Sequence, residues 1–432
     1  MSLQAIRRLP TAGLLTVLLG SVCHADEAAT RRVVETAVES LVKEDFDAVA
    51  NTFDDNLAGK LPVAQLKAAW KQVGSAVGEY SKTSPPKQVA KGTYESTVAF
   101  SRLALIVRVS VNREGKVAGL FMRPEPLPNP EPSSESPSSA GRPLRLVVNG
   151  VTIHGTLLLP SDSSGSAMPL AVLHSGSGPT DRDGNQPMLP NDSLKKLAEE
   201  LTALGIATFR YDKRGSGATG MTGPESDLKL QTYVEDLVGV VGELSRLPDT
   251  RFRGVTLVGH SEGAQICMLA AQKAKVSGVV TIAGSGRNLK ELLKSQLQGK
   301  LPPDLAERSN EILSELAAGR QVESVPDELM ILFRPSVQPF LISCIQSDPT
   351  KLAASIQVPM LILQGDEDIQ VSVEDAKRLK EAQPEAELEV LKGMNHVLRI
   401  VETEQDQQES YRDRGRELTP GLSKRIADFV NK

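Results

Sequence analysis

Two periodicities divide the chain. Val33, Val34, Ala37, Val38, Leu41 and Val42 recur at intervals of three and four, the spacing that lines one face of a helix, and a second helix is predicted over 61–73. The pattern then changes to strand composition over 96–101 and 103–111, with Asn112-Arg113-Glu114-Gly115 as a hairpin turn and 116–122 as the returning strand. Helices followed by antiparallel strands predict a small α+β domain over 26–122.

From 123 to 142 the chain is rich in proline and serine and has almost no apolar residues, so it cannot bury enough surface to offset its conformational entropy. It is read as an interdomain linker. Beyond it, strands and helices alternate over 143–432. Segments 144–148 and 152–159 flank Asn149-Gly150, a strong hairpin signal. Strands follow at 170–173, 206–211, 255–258 and 276–282, separated by helices at 194–204, 230–244 and 262–273. An insertion at about 285–357 carries helices at 289–297, 305–316 and 330–345, and strands 360–363 and 388–391 and a helix at 420–430 close the chain. A hairpin followed by β-α repeats predicts a mostly parallel sheet with helices on both faces.

Composition narrows the picture. The 432 residues are 40% hydrophobic and 24% charged, as in an ordinary globular protein, and a net charge of −5 offers no basic footprint for nucleic acid or anionic lipid. Arg7 and Arg8, the apolar run 14–19 and Cys23-His24-Ala25 have the layout of an export signal cleaved after Ala25, so residues 1–25 are expected to be removed and the protein is expected to be periplasmic or secreted. The run is too short to span a bilayer, and Gly20 stands where a lipoprotein signal carries leucine. Cleavage leaves Cys267 and Cys344, both read as free, buried thiols.

The chemistry gathers in the second unit. A β-rich run ends in Gly259-His260-Ser261-Glu262-Gly263 and leads into a helix, the setting in which a G-x-S-x-G pattern becomes a sharp turn that exposes its serine. Serine attacks only when a base takes its proton, and in this strand-turn-helix arrangement the base follows the nucleophile and the acid in chain order. His396, in Gly393-Met394-Asn395-His396-Val397, is the one histidine after Ser261. The acid is expected after the preceding strand, in Gly365-Asp366-Glu367-Asp368, which offers three carboxylates; Asp366 is read as a turn cap, and the resemblance of this turn to the G-x-x-D of similar hydrolases implies Asp368. The oxyanion needs two backbone N–H donors. Glu262 supplies one, and the turn His174-Ser175-Gly176-Ser177-Gly178 supplies the other, from Ser177 first and Gly176 second. His174 and His260 precede the serine and are read as packing or hydrogen-bonding residues. The small domain offers no comparable cluster and is read as a packing or binding module.

Taken together, G-S-G-P-T-D-R-D-G-N, Y-D-K-R-G at 211–215, G-H-S-E-G-A, the Q-G-D-E-D turn and M-N-H resemble a bacterial α/β-hydrolase esterase family of the serine-aminopeptidase-like branch. The resemblance covers about 142–432 and implies hydrolysis of short acyl esters more than of peptides. Ser175 replaces the first glycine that an H-G loop would carry. The small domain resembles nuclear-transport-factor-like or cystatin-like modules through E-D-F-D-A-V-A, the Trp70 helix and G-K-V-A-G-L. The insertion, following the sixth strand of its unit, is expected to cap the serine and form the acyl pocket. No metal-ligand spacing or phosphate-binding loop is present, so no cofactor is implied. The expected partner is a small-molecule ester. A peptidase or amidase of the same fold and a non-catalytic binding protein are the alternatives.

Overall fold

The computed structural model of the chain describes residues 27–67, 70, 77–90, 92–101, 104–124, 141–161, 167–186, 189–249 and 251–432. The expected export signal and most of the proline- and serine-rich segment lie outside these residues. The chain separates into two compact units, Met1–Glu125 and Pro126–Lys432.

The first unit opens with helix Glu27–Val42, whose Val34, Ala37, Val38 and Leu41 are all buried, followed by short helices Phe46–Asn51 and Asp55–Lys60. Asp45 and Asp54 cap the two short helices by accepting from Ala48 N and Leu57 N. Residues 63–67 and Trp70 are helical, within the segment predicted as the second helix. Five antiparallel strands follow: β1 (Tyr80–Thr83), β2 (Lys87–Ala90), β3 (Thr93–Phe100), β4 (Ala104–Val111) and β5 (Val117–Pro124). β3 alternates buried and half-buried positions, the signature that made it readable. β1 and β2, both paired to β3, were not anticipated, because Tyr80-Ser81-Lys82 and Lys87-Gln88-Val89 are exposed and show no apolar alternation.

The second unit is built on an eight-stranded sheet of β6 (Arg142–Val148), β7 (Val151–Leu158), β8 (Met168–His174), β9 (Ala207–Tyr211), β10 (Phe252–His260), β11 (Gly278–Ile282), β12 (Met360–Gly365) and β13 (Glu387–Leu391). Their spatial order is β13-β12-β11-β10-β8-β9-β7-β6. β7 is antiparallel to β6 and β9, while the remaining pairs are parallel. The β6–β7 hairpin closes on Asn149 (φ 47) and Gly150 (φ 75), two positive φ values that match the natural twist of paired strands. β9, β11 and β12 are buried along their whole length, as central parallel strands covered on both faces must be. One face packs on helices Leu230–Leu244 and Glu262–Ala271, the other on Ser193–Ala203 and Leu422–Val430.

After β8 the chain turns toward one edge of the sheet, and after β10 toward the other. Such a reversal opens a crevice at the carboxyl ends of the two strands, the place where an open α/β sheet binds ligands. The loops after β8 and β10 therefore meet there.

The insertion after β11 holds helices Leu289–Leu297, Pro303–Ala317, Met330–Phe333, Gln338–Ile345 and Pro349–Ala354 around a small core that includes Ile312, Leu316 and Phe333. The single helix expected over 330–345 is broken. Pro335 excludes the helical region for the residue before it, and Arg334 is extended at φ −49, ψ 142. Cys267 and Cys344 are free and buried. Among the described residues no helix is long and apolar enough to cross a membrane.

Each unit has its own core, and a segment unable to bury apolar surface separates them. A shortened protein of residues 141–432 is therefore expected to unfold in one cooperative transition, melting within about 5 °C of the same unit in the full-length chain. Calorimetry of both proteins checks this; a shortened chain that does not fold contradicts it.

Candidate active site

β10 ends at His260 and the next helix begins at Glu262, so Ser261 alone makes the turn, at φ 55 and ψ −121. A side chain held in this sparsely populated region costs about 1–3 kcal/mol and persists only where its surroundings enforce it. Ser261 N donates to Ile282 O at 2.9 Å, and Ala264 N donates to Ser261 O at 3.0 Å. The flanking glycines are there for closeness. A Cβ on Gly259 would collide with the Gly263 carbonyl, and one on Gly263 would lie 2.5 Å from His174 O and 2.8 Å from Ser175 O. The turn after β8 is pressed against the serine: a Cβ on Gly176 would come within 3.1 Å of Ser261 Cβ.

Asp368 and His396 are brought together from two other loops. His396 Nδ1 lies 2.8 Å from Asp368 Oδ2, and the Asp368 side chain is 0% exposed. Burial opposes ionisation of Asp368, but the charge and hydrogen bond of His396 and the amides of Val371 and Gln370 outweigh it and hold its pKa below the usual carboxylate value. Those amides donate to Oδ1 at 3.0 and 2.8 Å, and Gln364 Nε2 donates to Oδ2 at 3.1 Å. An ionised carboxylate at Nδ1 keeps the proton on that nitrogen and leaves Nε2 as the basic lone pair. Asp366 is exposed and accepts from Gly393 N at 2.5 Å, which makes it a brace between the two loops.

The two loops are locked to each other. Glu367 N donates to Met394 O at 3.1 Å, where Gly365 leaves no room for a side chain. Asn395 organises the histidine loop: its Oδ1 accepts from Val397 N and Arg399 N, and its Nδ2 donates to Gln407 Oε1 at 2.6 Å and Ser410 Oγ at 2.7 Å. Arg399 is fully buried and donates from Nη2 to Asn191 O at 2.6 Å, while its Nε and Nη1 have no partner among the described residues. Burial draws its pKa down to about 10. Among the described residues no hydrogen bond joins Ser261 Oγ to the His396 ring; in enzymes without substrate such contacts are often long and tighten on binding. The backbone link runs through His260, whose Nε2 lies 2.8 Å from His396 O. Burial, and then the charge of His396, lower the His260 pKa to about 4, so at neutral pH this ring is uncharged and donates to the carbonyl. His174 is likewise neutral, brought to about 3 by burial and then Lys213, with Nδ1 donating to Ser175 O at 2.9 Å.

Glu262 is the first residue of its helix, where the backbone N–H has no intrahelical acceptor and the helix dipole favours negative charge. Ser177 stands exposed in the turn after β8, its carbonyl accepting from Thr180 Oγ1 at 2.7 Å and Gln186 Nε2 at 3.1 Å. Two ion pairs tie this turn to β9 and the loop after it: Arg182 with Asp212 and Asp183 with Arg210, both at 2.6 Å. Lys213, buried next to Asp212, donates from Nζ to the Gly176 carbonyl. Lys213, Asn395, Arg399 and Gln364 were not anticipated at the site. All four lie in or beside the Y-D-K-R-G, Q-G-D-E-D and M-N-H motifs, but Lys213 and Arg399 brace chain segments far away in sequence.

Residues 192–404 match a family described as serine aminopeptidase, S33, and residues 34–120 match a family described as a protein of unknown function, DUF3887. The esterase EstD of Thermotoga maritima is 29% identical over 368 residues, covering 84% of this chain and 86% of that protein. Among solved structures, Est1E from Butyrivibrio proteoclasticus is similar at 16% identity and a TM-score of 0.45, over 67% of this chain and 99% of that one. A hypothetical protein from Pseudomonas aeruginosa is similar at 16% identity and a TM-score of 0.49, over 71% and 98%. A sheet with its second strand reversed and a G-x-S-x-G turn at the switch point make the second unit an α/β-hydrolase. Within that superfamily, residues 192–404 are similar to the family described as serine aminopeptidase, S33.

The strain at position 261 can be weighed directly. Ser261→Gly is expected to be more stable than Ser261→Ala by about 1 kcal/mol, since both lack the hydroxyl and only glycine adopts this backbone freely. Urea midpoints of the two variants measure it, and an alanine variant of equal or greater stability contradicts the strain.

Proposed function

We propose that this protein is an exported serine esterase that cleaves short acyl esters through an acyl-enzyme on Ser261, with Asp368 and His396 completing the triad. The observation that carries this reading is the position of Ser261, held at positive φ against the turn after β8, with His260 beside it bonded to the loop of His396, whose ring is paired with Asp368. In this scheme Ser261 Oγ attacks the ester carbonyl as His396 Nε2 takes its proton. The charge on the carbonyl oxygen is met by the N–H groups of Glu262 and Ser177. The C–O bond to the alcohol breaks as the imidazolium returns the proton to the leaving oxygen. Water, activated by the same histidine, then releases the acid and regenerates Ser261. The ionised Asp368 orients the ring and balances its transient positive charge.

The name of EstD favours an ester substrate, and the family's description as serine aminopeptidases supplies the amide alternative. Turnover of p-nitrophenyl esters against aminoacyl anilides decides between them, with the esters expected to be faster. Ser261→Ala is expected to abolish labelling by a fluorophosphonate probe, and His396→Ala to lower kcat by several orders of magnitude. Asp368→Asn is expected to cost about 10³–10⁴-fold in kcat and Asp366→Asn less than about tenfold, because only the first holds the imidazole tautomer. Persistent labelling of Ser261→Ala, or the reverse ranking of the two aspartates, defeats the assignment.

A further inference from the structure

The Y-D-K-R-G motif leaves one residue without a part in this chemistry. Lys213 is 3% exposed, an unusual place for an ammonium group, and among the described residues it forms no ion pair of the kind that normally compensates a buried cation. Its surroundings are the site itself. Nζ donates to the Gly176 carbonyl, lies 5.9 Å from the centre of the Tyr233 ring, and is within electrostatic reach of Glu262 and of Cys344 from the insertion.

The carbonyl it holds belongs to the same peptide unit as the Ser177 N–H. A trans peptide is planar and its C=O and N–H point in opposite directions. Fixing the oxygen toward Lys213 therefore aims the N–H away from it. Gly176 itself is packed on Ser261, and the next carbonyl, of Ser177, is pinned by Thr180 and Gln186, so the peptide is restrained on both sides. A cation on the carbonyl end also polarises the amide and strengthens its N–H as a donor.

We propose that Lys213 is the positioning residue of the oxyanion turn: it anchors the Gly176 carbonyl and so presents the Ser177 N–H to the charge that develops on the substrate. The proposal rests on the esterase reading, since it assigns Ser177 as a donor to the tetrahedral intermediate. Glu262, the residue that carries the other proposed donor, has its carboxyl pKa raised by burial, an effect the Lys213 charge partly offsets.

The test uses the full-length protein and p-nitrophenyl acetate. Lys213→Met, which keeps the length of the side chain and removes donor and charge, is expected to lower kcat by about 10²-fold, the usual loss for one oxyanion donor. KM is expected to stay within about threefold, because the interaction is gained in the transition state and not in the ground state. The acid limb of the kcat/KM pH profile is expected not to move. Ser177→Pro removes the N–H while sparing Lys213, and is expected to lose a similar factor. The double variant should lose little more than either single one. A kcat within threefold of wild type, a change confined to KM, a displaced acid limb, or additive losses in the double variant would each overturn the proposal. If Lys213→Met does not fold, Lys213→Gln replaces it in the same cycle and is read for the same coupling. Wild-type protein without ester turnover would defeat the esterase reading and this inference with it, whereas normal wild-type turnover with an unaffected lysine variant would defeat this inference alone.

Discussion

Everything at the site depends on how closely three stretches of backbone approach one another at the end of β10. Gly259 lies against Gly263, Gly263 against the carbonyls of His174 and Ser175, and Gly176 against Ser261. A side chain at Gly259 or Gly263 would drive these strands apart. What the G-x-S-x-G pattern provides is this contact, and the strained serine is its consequence. The free energy that sustains the strain comes from the buried sheet around it, where β11 and β12 are buried along their whole length.

Around that contact the protein places charge in dry surroundings and compensates nearly all of it. Arg182–Asp212 and Arg210–Asp183 tie the loop after β8 to β9 and the loop after it, and Arg214–Asp236, the most enclosed of the three ion pairs, ties that second loop to helix Leu230–Leu244. Removing one partner of such a pair would leave an uncompensated buried charge, which is far costlier than losing a surface bridge. Asp368 belongs to this class, with four hydrogen bonds to its two oxygens. Histidines 174 and 260 are the counterpoint, kept neutral by the same desolvation.

The elements that could be read from the sequence are those whose patterning reflects burial. β3 alternates, β9, β11 and β12 are rich in apolar residues and buried from end to end, and Asn149-Gly150 fixes its hairpin by local conformational preference alone. β1 and β2 escaped because they are exposed strands that pair through backbone. The break at Arg334–Pro335 was written in the sequence, but the apolar spacing across 330–345 outweighed it. At the site, the serine turn was legible because its glycines are a local requirement, and Asp368 and His396 were legible from chain order. The braces were not. Lys213 and Arg399 act on partners that only folding brings near, Arg399 and Asn191 being separated by 208 residues, while Gln364 and Asn395 act within their own loops through side-chain contacts that no apolar pattern reports.

That long-range closure also governs when the machinery exists. As the chain is synthesised, the serine turn is complete well before the loop that carries His396, which follows His260 by 136 residues. The Arg399–Asn191 and His260–His396 contacts form only when the final portion of the chain has folded back onto the β8 and β10 loops. Contacts of such sequence separation are slow to form, because the entropy of closing the loop is lost before the contact is gained. A partly made or partly folded molecule therefore lacks both contacts, and the loop that carries His396 takes its place late, together with the last of the sheet.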